Sequence, residues 1–122
     1  MYKRILVGTD GSETAGKAVE RAAELAKAVG ATLTIASAGA PDAAQQVVLE
    51  AATMHRSRGP LIETKVLTGD AASALVEEAE QGYDLLVVGN KGMTGASRFL
   101  IGSVPNKVSH HAPCALLIVR TT

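Results

Sequence analysis

Short apolar runs alternate with helical patterns along the whole chain. Five runs predict β-strands: Arg4–Gly8, Thr32–Ser37, Leu61–Thr68, Asp84–Gly89 and Cys114–Arg120. The stretches between them predict four helices: Ser12–Val29, Asp42–Ser57, a helix capped by Asp70 that ends at Gly82, and Ser103–His111. In the first helix an apolar residue recurs every third or fourth position, and Gly30 follows as a stop signal.

Strict alternation of strands and helices predicts an α/β doubly wound domain, in which helices cover both faces of a parallel sheet. The first and fourth runs are continuously apolar, as strands buried on both faces are, so we expect them to be central and adjacent. In such sheets ligands bind beyond the carboxyl ends of the strands, where the winding reverses. At that edge the sequence places Gly8, Thr9 and Asp10 after one strand, and Gly89, Asn90, Lys91 and Gly92 after the other.

Composition indicates one ordinary globular domain spanning residues 1–122. The chain has 122 residues, of which 47% are hydrophobic, enough for a core without disulfides or structural metals. Its 12 basic residues balance 12 acidic ones, so no overall field favours nucleic acid or an anionic membrane surface. The single cysteine is typical of a reducing compartment, and no apolar stretch has the length of a membrane span. We expect a soluble, cytoplasmic protein.

A glycine-rich stretch follows the fourth strand and carries the main chemical signal. It fits the spacing GxxGx9G[ST], with Gly89 and Gly92, nine residues, then Gly102 and Ser103. Glycines let backbone amides approach a phosphate closely, and a helix that begins at Gly102 and Ser103 would present free amides and a positive dipole end. An ordinary loop followed by a capped helix remains an alternative explanation.

A second stretch imitates a phosphate-binding loop. Residues 11–18, GSETAGKA, follow a strand and nearly match GxxxxGK[ST]. However, Ala18 stands where the motif needs a hydroxyl for magnesium, and the helical pattern already includes Ala15. We therefore expect Gly16 and Lys17 to lie inside a helix that Ser12 caps.

Several side chains have both a functional and a structural interpretation. Asp10 could bind Mg²⁺ or a ribose hydroxyl, or could cap the turn before the first helix. Lys91 and Arg98 could neutralise phosphates or could simply be solvated. His110 and His111 suit the C-terminal end of a helix better than a metal site, because no carboxylate or cysteine cluster accompanies them.

Two segments resemble the universal stress protein family: KRILVGTDGSE at the start, and YDLLVVGNKGMTGASRFLIGSVPNKVSHHAPCALLIVR near the end. The resemblance covers essentially the whole chain and implies strand order 3-2-1-4-5 and membership of the ATP-binding branch. It places Thr9 and Asp10 beside the ribose and metal, and Ala38 near adenine. Around the phosphates and ribose it implies Gly89, Lys91, Gly92, Gly102, Ser103 and Val104. We also include their neighbours Gly8, Asn90 and Pro105 among the residues expected to line the nucleotide site.

The sequence also departs from the family pattern. After the second strand it reads SAGAP, where relatives often have larger aliphatic residues, and the segment before the second helix is short. The adenine pocket is therefore expected to be loose. Pro105 occupies a position where a hydroxyl could have contacted phosphate, so one polar contact is expected to be missing.

Three functions are compatible with the sequence. The first is an ATP-binding regulatory or stress-response switch, with ATP and Mg as its ligands. The second is a slow ATPase or nucleotidyl transferase, which is less favoured because Asp10 has no base or nucleophile near it in the pattern, so we expect no enzymatic activity. The third is a nucleotide-free interaction module. In each case the apolar last strand, CALLIVR, is expected to lie at a sheet edge and to pair with a second copy in a homodimer.

Overall fold

The computed structural model describes residues 2–90 and 112–121. Its elements in chain order are β1 (Arg4–Gly8), α1 (Glu13–Val29), β2 (Thr32–Ala38), α2 (Pro41–Arg56), β3 (Leu61–Leu67), α3 (Ala71–Ala79), β4 (Leu85–Gly89) and β5 (Ala115–Val119). All five predicted strands and the first three predicted helices are present. β1 has the predicted bounds, and the ends of the other elements differ from the predictions by at most three residues. The fourth predicted helix, Ser103–His111, lies outside the described residues.

The five strands form one parallel sheet in the order β3-β2-β1-β4-β5. This confirms the predicted order and the central, adjacent positions of β1 and β4. Ile5 of β1 lies between Leu33 of β2 and Leu85 of β4, so the three central strands are in register from one residue to the next. Their carboxyl ends consequently meet at one edge of the sheet.

The two faces of the sheet carry separate hydrophobic cores, as the alternation of side chains in a strand requires. On one face, Ile5 and Val7 pack with the buried sides of α1 and α2. On the other face, Leu6 and Leu86 pack with Leu75 of α3. All four of these β1 and β4 side chains are fully buried, which explains why the sequence shows these strands as unbroken apolar runs.

The helix ends follow the expected capping chemistry where the sequence supplies it. The hydroxyl of Ser12 accepts a hydrogen bond from the N–H of Ala15, and Gly30 ends α1 with φ 72°, in the left-handed region that favours glycine. By contrast, α2 begins at Pro41 after a two-residue connection, with no side-chain cap on Ala40.

None of the described helices is long and apolar enough to cross a bilayer.

Asp84 joins the starts of β1 and β4. Its carboxylate Oδ2 accepts hydrogen bonds from the backbone N–H groups of Lys3 (2.8 Å) and Arg4 (2.9 Å). These bonds stabilise the ionised form and hold the pKa of Asp84 below its ordinary value of 3.8. The neighbouring backbone adds a third link, because the N–H of Asp84 donates to the carbonyl of Arg4 at 2.8 Å.

We predict that Asp84→Asn lowers the free energy of unfolding at pH 7 and that the difference from wild type shrinks in acid. The wild-type hydrogen bonds need an ionised carboxylate, and the pKa of Asp84 is lower in the folded protein than in the unfolded one. Their contribution to the free energy of unfolding is therefore present above about pH 4 and is lost as the pH falls further. Urea unfolding of both proteins between pH 7 and pH 3 measures this. Glu63→Gln controls for the loss of one exposed charge. A difference that stays constant down to pH 3 would contradict the prediction.

Candidate functional site

The residues predicted to bind a ligand and described by the structure lie along one edge of the sheet. Gly8, Ala38 and Gly89 are the last residues of β1, β2 and β4. Backbone hydrogen bonds continue past the strand ends, from the N–H of Thr9 to the carbonyl of Ala36 at 2.9 Å, and from the N–H of Asn90 to the carbonyl of Val119 at 2.8 Å. The fold therefore places Gly8, Thr9, Asp10, Gly89 and Asn90 along one edge of the sheet, as the strand pattern predicted. Ala38, which only the family resemblance implied, lies along the same edge.

The turn between β1 and α1 is fixed by its own side chains. Thr9 is buried, and its hydroxyl oxygen accepts a hydrogen bond from the N–H of Gly11 at 3.1 Å. Asp10 accepts a hydrogen bond from the N–H of Ser12 through Oδ1 at 2.8 Å. The turn-capping role considered for Asp10 is thus present, and it uses one carboxylate oxygen of two. The other oxygen can still accept a bond from a ligand or contribute to a cation site.

A second set of hydrogen bonds ties the end of β4 to the chain after β5. The side-chain oxygen of Asn90 accepts two bonds from Thr121, one from its N–H and one from its hydroxyl, both at 2.8 Å. The carbonyl of Thr121 accepts a bond from the ammonium of Lys17 at 3.3 Å. Thr121 is buried, so these bonds compensate for the desolvation of its polar groups. Asn90 is consequently held by the fold at the point where the glycine-rich stretch begins.

Sequence reasoning missed this contribution of Lys17 and Thr121. Lys17 is 104 residues from Thr121 in the chain, and Asn90 is 31 residues from it, so no local spacing connects them. The sequence did predict that Gly16 and Lys17 belong to a helix, and both lie inside α1. The stretch GSETAGKA is therefore not a phosphate-binding loop.

Other predicted residues lie outside the described part of the chain. They are Lys91, Gly92, Gly102, Ser103, Val104 and Pro105, together with Arg98, His110 and His111. The glycine spacing remains a prediction at these positions. Within the described residues, no group of three or more histidine, cysteine, aspartate or glutamate side chains is close enough to hold a metal ion.

A groove with a volume of about 640 Å³ begins at the β1–α1 turn and runs between α1 and α2. We call it the α1–α2 groove; it extends from Asp10 and Glu13 to Val47, Met54 and His55. Ala38, Gly89 and Asn90 are not among its described lining residues, so it is not the predicted ligand edge, although the two share Thr9 and Asp10. No signal in the sequence pointed to the groove, because each of its walls is the side of an ordinary amphipathic helix.

His55 lies at the far end of this groove and is 3% exposed. Burial lowers its pKa below the ordinary value of 6.5, and the nearby charge of Arg58 lowers it further, against smaller opposite effects of Glu20 and Glu24. The imidazole is therefore neutral at pH 7.

Comparison with known proteins finds relatives from one family along almost the entire chain. The model of the universal stress protein family matches residues 1–57 and 36–120. A universal stress protein of Mycobacterium tuberculosis is 38% identical over 144 residues, which cover 99% of this chain and 98% of that protein. The aligned stretch is longer than the 122-residue chain, so the relative has at least 22 residues without a counterpart here.

Solved structures share the fold. A universal stress protein crystallised in complex with cAMP is 35% identical, covers 99% of both chains and superimposes with a TM-score of 0.84. A universal stress protein from Archaeoglobus fulgidus in complex with dAMP has a TM-score of 0.79 and covers 98% of both chains. At 22% identity, the likeness to that second protein is one of fold alone.

We predict that Asn90→Ala lowers the free energy of unfolding by about 1–3 kcal/mol, because it leaves two buried donors of Thr121 without their acceptor. Thr121→Val is the matched comparison: it removes the hydroxyl and keeps the bond from the backbone N–H. Its cost should be smaller, about 0.5–1.5 kcal/mol. Chemical denaturation of the three proteins measures both differences, and an Asn90→Ala protein as stable as wild type would show that the bonds do not stabilise this edge.

Proposed function

Because the chain belongs to the universal stress protein family, we propose that it binds ATP at the carboxyl edge of β1 and β4 and acts as a nucleotide-dependent regulatory switch. The observation that carries the proposal is the convergence of Gly8, Thr9, Asp10, Ala38, Gly89 and Asn90 on that edge. A relative that is 35% identical was crystallised with cAMP, which is also an adenine nucleotide.

The phosphate contacts are assigned to backbone amides of the glycine-rich stretch. β4 ends at Gly89 beside β1, at the boundary where ligands bind in open parallel sheets. The two hydrogen bonds that Thr121 donates to Asn90 fix the start of that stretch relative to the sheet. A fixed starting point lowers the conformational entropy that the site loses when it binds an anion.

The metal contact is assigned to Asp10. Mg²⁺ commonly takes one or two protein carboxylates and completes its shell with nucleotide phosphates and water. Asp10 lies at the carboxyl end of β1, where its second carboxylate oxygen is available, and the phosphates of the nucleotide would supply further ligands. Binding of Mg²⁺ should therefore depend on the nucleotide.

The adenine contact is assigned to the end of β2. Ala38 is partly buried there, and Gly39 and Ala40 alone connect it to α2. Small side chains give an aromatic base little apolar area to contact. We therefore propose a site that derives most of its affinity from the phosphates and metal.

We propose binding without turnover. The carboxylate of Asp10 is restrained by the N–H of Ser12, and its proposed partner is Mg²⁺, so it is a poor candidate for a general base. Release of inorganic phosphate from ATP, measured beside binding, separates a switch from a slow ATPase.

We also propose a cytoplasmic location. Cys114 is a free thiol, and a reducing compartment keeps such thiols reduced. Partial burial raises the pKa of Cys114, so little reactive thiolate is present at neutral pH.

We predict that Gly102→Val weakens ATP binding at least tenfold, about 1.4 kcal/mol. A branched side chain at this glycine would occupy the space needed by the phosphate, while the sheet should remain intact. Isothermal titration with Mg²⁺ and ATP, together with circular dichroism, separates lost binding from lost folding.

Two matched variants sharpen this titration. Gly95→Ala changes a glycine outside the motif spacing and should bind ATP almost as wild type does. Asp10→Asn keeps the oxygen that accepts from Ser12 but removes the charge, so it should reduce only the gain in affinity that Mg²⁺ provides. Equal ATP affinity in Gly102→Val and wild type would contradict the phosphate assignment, and an unchanged Mg²⁺ gain in Asp10→Asn would contradict the metal assignment.

We further propose a homodimer through β5. The strand sequence ALLIV has no charge, it lies at a sheet edge, and Ile118 is 43% exposed. At the opposite edge, β3 carries the charged residues Glu63 and Lys65, which discourage pairing between edges. The β3 edge therefore carries charges, which normally protect a sheet edge from association, and the β5 strand does not.

We predict that Ile118→Lys shifts the protein toward monomer at micromolar concentration in sedimentation experiments. Ile118 suits this test better than Leu117, which packs against the core on the α1 side. Leu61→Lys, at the other edge strand where Leu61 is 75% exposed, should leave the assembly unchanged. A wild-type protein that sediments only as monomer would contradict the proposal.

A further inference from the structure

The α1–α2 groove combines an apolar floor with acidic rims. Its floor includes Val47, Ala51 and Met54, and Met54 is 65% exposed, so its apolar side chain is accessible to a partner. Val19 closes the floor on the α1 side. A volume of about 640 Å³ lies within the range of sites that hold a ligand or a partner's anchoring side chains.

Four carboxylates surround this floor: Asp10, Glu13, Glu20 and Glu50. None of them forms a salt bridge with a described residue. The one ammonium group among the described lining residues belongs to Lys17, and it already donates to the carbonyl of Thr121. The rims therefore carry net negative charge, and the neutral imidazole of His55 does not offset it.

The spacing of the carboxylates indicates an elongated occupant. Glu13 and Glu20 are seven residues apart on one face of α1, about 10 Å along the helix axis. The wall from Ala43 to His55 on α2 is about 18 Å long, the length of a helix of about 12 residues. A single small cation would meet one or two of these carboxylates, whereas basic residues spaced along a helix can meet all of them.

The walls also allow close approach by another helix. Gly16 lies within α1 and lines the groove, and a β-carbon built at that position has no atom within 4 Å. Ala43 and Ala51 are the corresponding small residues on α2. Small side chains at a contact bring helix axes nearer to each other and leave room for larger side chains of the partner.

We propose that the α1–α2 groove binds a basic amphipathic helix of a partner protein, with apolar anchors on Val47, Ala51 and Met54 and basic side chains on the acidic rims. Such helices occupy grooves through apolar residues at positions i, i+3, i+4 and i+7. The proposal does not rest on the proposed nucleotide site, but the two sites share Asp10, so the test is carried out without nucleotide.

The test uses a synthetic helix of about 12 residues, with leucines at that spacing and lysines on both sides of the leucine stripe. A fluorescent label reports its binding to wild-type protein by anisotropy. A second peptide with the same leucines and glutamate in place of lysine should bind at least tenfold more weakly. Absence of saturable binding of the lysine peptide at about 1 mM would overturn the proposal.

Two pairs of protein variants locate the complex. Glu20→Lys with Glu50→Lys should weaken binding at least tenfold, whereas Glu77→Lys with Glu80→Lys, on the other face of the sheet, changes the net charge equally and should leave affinity within threefold. Equal losses in the two double variants would mean non-specific attraction and would overturn the proposal.

Gly16→Leu tests the groove without threatening the fold, because leucine favours the helix more than glycine and meets no neighbouring atom at its β-carbon. It should reduce peptide affinity at least tenfold at an undiminished melting temperature, whereas Gly16→Ala should bind normally. Unchanged affinity in Gly16→Leu would overturn the proposal. The proposal would also be overturned if n-octylamine saturated the groove at a lower concentration than the peptide does, because the occupant would then be a small amine.

Discussion

The central position of β1 is the constraint on which the ligand-facing edge depends. β1 pairs with β2 on one side and β4 on the other, and its side chains are buried on both faces. Crossovers between parallel strands are right-handed, so winding toward β3 places α1 and α2 on one face, and winding toward β4 places α3 on the other. The two directions of winding separate between the carboxyl ends of β1 and β4, which is where an open parallel sheet leaves room for a ligand.

Local patterns in the sequence were sufficient to predict most of the architecture. The unbroken apolar runs of β1 and β4 are typical of strands covered on both faces. Ser12, Gly30 and Asp70 marked helix ends where the structure has them. The start of α2 at Pro41 was placed one residue late, because Ala40 is not a capping residue and the proline fits the first helical position. What could not be predicted depends on contacts between distant parts of the chain. The bonds of Thr121 to Asn90 and Lys17 arise only when the sheet brings its edges together.

The β1–α1 turn belongs to both the proposed nucleotide edge and the α1–α2 groove. Residues 9–12 line the groove, and Thr9 and Asp10 also lie at the ligand edge. Gly11 adopts φ 84°, and a β-carbon there would come within 3.0 Å of the side chain of Val47. The turn therefore lies directly against α2. A ligand that repositioned Asp10 would act on the same turn that forms one end of the groove.

The central claim is that this edge of the sheet binds an adenine nucleotide. Mass spectrometry of the small molecules released when freshly purified protein is denatured tests it most directly, because a site with high affinity retains its ligand through purification. The account predicts an adenine nucleotide in an amount approaching one per chain, and much less from Gly102→Val purified in parallel. A wild-type protein that releases none, and that shows no binding when ATP and Mg²⁺ are then added back, would contradict it.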